Sequence, residues 1–126
     1  MKEEYKNDKF LVALDAAGAD VDGALNRFMG KTSLYKKFMK KFLEDRSYPD
    51  MLESLAGHDP EEAFRQAHTL KGVAGNLSFA ALYEAASKVN AALREGDLAG
   101  ATALMDPVRS AHAAVVSALS SLRDAR

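Results

Sequence analysis

The sequence contains no cysteine, three prolines and no apolar run of the length that a membrane span requires. The absence of cysteine excludes disulfides and thiolate metal sites, in keeping with a reducing compartment. A spanning helix needs about 18 or more apolar residues in a row, and the charged start MKEEYKNDKF has no apolar centre of the kind a signal peptide carries. The expectation is a soluble cytoplasmic protein without membrane contact. A formal net charge of −1 gives no reason to expect nucleic acid as a partner, so any charged patch must be local. Few prolines and few β-branched residues, beside abundant alanine and leucine, point to an all-α chain. At 126 residues one domain, residues 1–126, can bury a sizeable core without covalent staples.

The segment that makes poor sense as packing alone is DPEEAFRQAHTLKGVAGNLSF, residues 59–79. Asp59 is a preferred N-cap, Pro60 suits the first helical position, and Glu61 and Glu62 favour the positive end of the dipole. Glu62, three residues after Asp59, completes a box-like cap. Inside this run stand Gly72 and Gly75, each costing a helix on the order of 1 kcal/mol relative to alanine. At roughly 100° per residue, Glu61, Phe64, Arg65, Lys71, Gly72 and Gly75 fall within about 60° of His68. Ala63, Leu70, Val73, Ala74 and Leu77, with Ala67 at the margin, form the opposite, core-facing stripe.

His68 is therefore expected to point away from the core, with its imidazole uncrowded. A neutral imidazole nitrogen is a competent nucleophile near pH 7, the reference pKa being about 6.5. Lys71, one turn on, would stand where an incoming phosphoryl oxygen needs positive charge. The other histidines lack such companions: His58 falls in a loop, and His112 is an ordinary helical residue. No paired histidine spacing or Glu-x-x-His pair occurs, so a metal-dependent helical enzyme has no support and no metal ligand is assigned.

The rest of the chain reads as further helices. Residues 1–7 are polar and expected to be disordered. Asp8 caps a short helix through Leu11 and Leu14, stopped by Gly18; Asp20 or Asp22 starts a second through Leu25 and Phe28, closed by Gly30. In Lys31 to Arg46 the residues Leu34, Tyr35, Phe38, Met39, Phe42 and Leu43 have amphipathic spacing, with Lys36, Lys37, Lys40 and Lys41 on a solvated face. Pro49 or Asp50 begins another piece that Gly57 caps. A long helix runs from Phe79 to Glu95, and a last segment from Leu98 to Arg123 is bent or broken at Asp106 and Pro107.

AHTLKGVAGNLS, through His68, Leu70, Lys71, Gly72, Ala74, Gly75 and Leu77, resembles the signature of the histidine-containing phosphotransfer (HPt) domain. Asp20 to Asp45 and Leu82 to Asp97 are similar to the family's first helices and to the helix that pairs with the histidine helix. The resemblance covers roughly residues 20–120. It implies an antiparallel four-helix bundle, roughly residues 20–124, with additional short N-terminal helices. It also implies a phosphorelay intermediate: His68 accepts a phosphoryl group from a receiver-domain phosphoaspartate, or from a histidine kinase, and passes it to a response-regulator aspartate.

Under that resemblance Lys71 stabilises the phosphoryl oxygens, and Gly72 and Gly75 leave room for the partner's loops. Phe64 and Arg65 are assigned to the docking face; Phe64, apolar on the outward side, either contacts the partner or is partly buried under the N-terminal helix, from which Leu11 and Leu14 would flank the same groove. Asn90 occupies the position of the side chain that commonly orients the histidine's other ring nitrogen. Its amide can accept that N–H but lacks a carboxylate's charge. Ser78 stands where the family frequently has glycine. The chain itself would bind no cofactor, Mg2+ being held by the partner receiver. Its partners would be response-regulator receiver domains and a sensor or hybrid histidine kinase, and the chain a monomer without autonomous kinase activity. A helical adaptor that binds receivers without transferring phosphate is the alternative.

Overall fold

The computed structural model describes residues 5 and 7–124. The helices are α1 (Lys9–Ala16), α2 (Val21–Arg27), α3 (Thr32–Phe42), α4 (Ser47–Ala56), α5 (Pro60–Asn76), α6 (Ala80–Arg94), α7 (Leu98–Ala103), α8 (Met105–Ala118) and α9 (Ser120–Asp124). The described chain is all-α, and none of its helices is long and apolar enough to cross a membrane. Four start on an aspartate whose side chain accepts an otherwise unpartnered amide: Asp8 from Leu11 at 3.1 Å, Asp20 from Gly23 at 3.0 Å, Asp59 from Glu62 at 3.2 Å and Asp97 from Gly100 at 2.8 Å.

Five of the helix ends share one device. After α1, α2, α4, α5 and α6 a residue takes a left-handed conformation, and the amide after it returns to a carbonyl of the last turn, as in Ala19 to Leu14, Gly30 to Leu25, Asp59 to Ser54, Phe79 to Ala74 and Asp97 to Ala92. Glycine fills that place at Gly18 and Gly96, but Met29, His58 and Ser78 fill it at φ of 56°, 56° and 59°. Gly57 caps α4 as expected, at φ −85°, and the left-handed residue is the next one, His58.

Three boundaries differ from the sequence reading. α4 begins at Ser47, because Asp45 accepts from both the amide and the hydroxyl of Ser47 and Pro49 then falls in the first turn, where no amide donor is needed. Pro107 likewise lies in the first turn of α8, so the chain breaks at Leu104. The cap of α5 is one-sided: Glu62 bonds Arg65 and Gln66, whereas the Asp59 amide goes to Ser54.

α5 is the central strut, packed chiefly against α6 and α4, while α6 also packs on α7 and α8. Only Leu77, Ser78 and Phe79 separate α5 from α6, and so short a joint makes them antiparallel neighbours. The core between them holds Tyr35, Phe79, Met39, Met51, Leu70, Leu82 and Leu119, all fully buried, with the Phe42 and Phe79 rings meeting edge-on at 5.2 Å. Val73, assigned to the core stripe, is only half-buried. Leu11 and Leu14 are buried, and their helix packs on α2 and α8, so they do not flank the histidine face. Of the stretch expected to be disordered, residues 1–4 and 6 lie outside the described ones, while Tyr5 is buried in the core.

Candidate functional site

Placing Ala63, Ala67, Leu70 and Ala74 in the core turns the opposite side of α5 to solvent. There His68 is exposed, and its ring accepts or donates no hydrogen bond among the described residues. One turn earlier Phe64 is half-buried, its ring stacked against the imidazole with centroids 6.2 Å apart and planes 22° apart. Its cover comes from α6, where the Arg94 guanidinium lies 6.0 Å from the ring centroid. Together with Pro60, Glu61, Arg65, Leu93 and Gly96 these residues line an open cavity of about 600 Å³ beside the histidine. Arg65 is exposed and pairs with Glu62 at 2.5 Å.

Asn90 is 1% exposed and does not orient the imidazole. Its Nδ2 donates to the Phe64 carbonyl at 3.3 Å, and its Oδ1 accepts from Arg94 at 3.5 Å. The Phe64 carbonyl is also the one that, in an α-helix, accepts from the residue 68 amide. Asn90 therefore braces the backbone turn beneath His68. The expected contact with the ring is not made: Oδ1, which would accept the ring N–H, accepts from Arg94 instead, and Nδ2 is held by the Phe64 carbonyl.

On the other side of His68, Lys71 is half-buried and its ammonium lies 6.0 Å from the Tyr83 ring centroid. The two glycines, treated alike in the sequence, are unlike here. A Cβ on Gly72 would meet nothing within 4 Å, whereas one on Gly75 would stand 3.2 Å from two carbons of the Tyr83 ring. Gly72 is open surface; Gly75 is covered by Tyr83 and is not clearance. The Gly75 carbonyl accepts from Arg27 of α2 at 2.8 Å, and the Leu77 carbonyl from the buried Tyr35 hydroxyl at 2.7 Å.

Tyr83, Arg94 and Arg27 were not singled out by sequence. The first two had a signal: Tyr83, Ser87, Asn90 and Arg94 recur at spacings of four, three and four, beside the buried stripe Leu82, Ala86, Val89 and Leu93. Arg27 had none, since 48 residues separate it from its acceptor. Elsewhere His112 stacks on Tyr48 with centroids 3.9 Å apart and planes 16° apart, and burial lowers its pKa, partly opposed by Asp45. It is a packed residue remote in sequence from the His68 face.

An exposed imidazole without a hydrogen-bond partner, a lysine one turn on and an open position beside both suit reaction with a group brought in by another protein. No curated protein and no solved structure matches the chain. The model of the Hpt domain matches residues 39–125. That match spans well over half of the 126 residues and includes His68 with its neighbours on α5 and α6, and the chain therefore belongs to the Hpt domain family, which serves phosphotransfer in two-component signalling.

Proposed function

We propose that His68 is the phosphoryl carrier of a phosphorelay, exchanging with receiver-domain aspartates and, on the input side, with a receiver or a sensor or hybrid histidine kinase. The observation that carries this reading is the exposed, unpartnered His68 ring beside Lys71 and the open surface at Gly72. An imidazole nitrogen attacks the phosphorus of the donor's acyl phosphate in line. A P–N bond forms as the P–O bond to the aspartyl oxygen breaks, and the carboxylate leaves with its electron pair. In onward transfer an acceptor carboxylate attacks the same phosphorus and the imidazole leaves.

Phosphoryl transfer asks for positioning and charge neutralisation more than for covalent machinery, and this chain supplies modest amounts of each. Lys71 offers positive charge to the phosphoryl oxygens, and Arg94 adds a second cation above Phe64. Asn90 holds the turn beneath the nucleophile. Any magnesium ion used in the exchange is held by the receiver. The chain acts as a monomer and has no kinase activity of its own.

Incubation with a receiver domain carrying labelled phosphoaspartate tests the reading. Acid-labile label is expected on the wild type and absent from His68→Gln. Label retained by that variant overturns the site, and a wild type that binds receivers without ever taking label is an adaptor instead.

A further inference from the structure

The histidine face has two flanks, and their chemistry differs. On the flank toward the start of α5 the charges are mixed: Arg65 is paired with Glu62, Arg94 donates to Asn90 and lies over Phe64, and Glu61 lies exposed on the cavity wall. On the flank toward its end, Arg27 is held at the Gly75 carbonyl, Lys71 stands on α5, and Lys41 of α3 lines the adjoining groove over Phe38. None of these three forms an ion pair among the described residues. Asp45, which lines a groove on this side, is engaged by Ser47.

Apolar surface is exposed on the same flank. Met29, two residues after Arg27, is 74% exposed, and Phe38 is 40% exposed. The Phe28 ring stacks on Tyr35 and lies 5.7 Å from that of Phe38, over which Lys41 places its ammonium. A groove of about 260 Å³ runs from Phe38 and Lys41 to Val73 and Asn76 of α5. Met29 also sits at φ 56°, a conformation that asparagine or glycine adopts at lower cost, so its side chain is poorly explained by local folding.

We propose that the phosphoryl-exchanging partner docks on this flank, over Met29, Phe38, Lys41 and Arg27, by an apolar surface rimmed with carboxylates. The proposal rests on the carrier reading of His68 and adds to it the direction in which the footprint extends. Charge complementarity selects this flank, because cations around an exposed apolar centre attract an acidic rim and speed encounter, whereas Glu61 and Glu62 offset the cations of the other flank. Distance permits it: Gly75 lies about 10 Å along the helix axis from His68 at 1.5 Å per residue, and an ordinary interface covers about 800 Å² on each partner. Residues 27, 29 and 38 precede the family-matched span of 39–125, so this surface is built largely from outside it.

The test uses the full chain and, as probe, the receiver domain from a purified panel that labels the wild type fastest. Half-saturating receiver concentration in the transfer assay and binding of the unphosphorylated receiver by titration calorimetry are measured in parallel. Lys41→Glu is expected to raise the half-saturating concentration about three- to tenfold with an unchanged plateau, and the effect to shrink in high salt. Met29→Asn is expected to raise it about three- to tenfold while the Tm stays level or rises, a split that a folding role for Met29 cannot produce. Glu61→Lys on the opposite flank is expected to change it less than twofold.

Wild-type values in both the Lys41 and Met29 variants overturn the docking flank, as does a gain in Glu61→Lys larger than their losses. If label never reaches His68 but these variants still weaken calorimetric binding, the carrier reading falls and the surface stands. Normal transfer with undiminished binding in every variant leaves the carrier and removes the surface. Binding to no receiver at all overturns both.

Discussion

Replacing Gly72 and Gly75 one at a time by leucine separates two roles that helix spacing assigns to both. At Gly72 an added Cβ meets nothing within 4 Å, so leucine recovers the helix propensity that glycine forgoes, about 0.8 kcal/mol. Unfolding entropy of about 2.1 cal/mol/K per residue makes about 0.26 kcal/mol per degree for a chain of this length, so Tm should rise by about 3 °C. At Gly75 the first added carbon would already stand 3.2 Å from the Tyr83 ring, and leucine's outer carbons need the space that the ring occupies. Overpacking costs about 1–3 kcal/mol. Tyr83 is 40% exposed and can swing outward, which favours the lower part of that range, and the propensity gain offsets some of it. A Tm lower by about 1–4 °C follows. Both variants should lose most phosphotransfer, Gly72→Leu by crowding His68 and Gly75→Leu by displacing Tyr83 from its place near Lys71. Scanning calorimetry and label transfer from a phosphorylated receiver read the two effects separately. A Tm that rises equally in both refutes the packing role of Gly75, and undiminished transfer in Gly72→Leu refutes clearance at Gly72.

Tyr35→Phe removes the donor to the Leu77 carbonyl at a fully buried position; the unsatisfied acceptor should cost about 1–2 kcal/mol, read as a lower urea midpoint with unchanged m. Ser78→Gly relieves a left-handed residue at φ 59° and should add about 0.5–1 kcal/mol without altering transfer; a loss of stability would contradict the strain. For His112, burial lowers the folded pKa below its ordinary 6.5, so the unfolded chain binds the extra proton first. The stability it contributes is full above that value and is lost as pH falls below it toward the folded pKa. Denaturant melts from pH 8 to 5 should fall more steeply for the wild type than for His112→Phe, which keeps a ring on Tyr48; identical slopes would count against it.

Much was legible because it depends on near neighbours in the chain. The aspartate caps, the core stripe of α5 and the outward placing of His68 follow from residues within a turn or two of one another, where a fixed period and a local hydrogen bond decide the outcome. The errors concern what a second element does. Leu11 and Leu14 have the right period for a helix face, but period does not say which neighbour that face meets, and they pack away from the site. Asn90 was placed by position near His68, and only the antiparallel register of α5 and α6 gives its amide to the Phe64 carbonyl.

By itself the sequence determined an all-α chain with one outward histidine, a lysine a turn beyond it and two glycines, since each of these is set by helix period and composition. Tertiary structure alone decided that the glycines differ, that Arg27 and Tyr35 tie down the end of the histidine helix, and that Arg27 and Lys41 stand beside exposed apolar side chains on one flank of His68. These outcomes depend on contacts between residues as much as 48 positions apart, where packing and chain topology, rather than local propensity, set which groups meet.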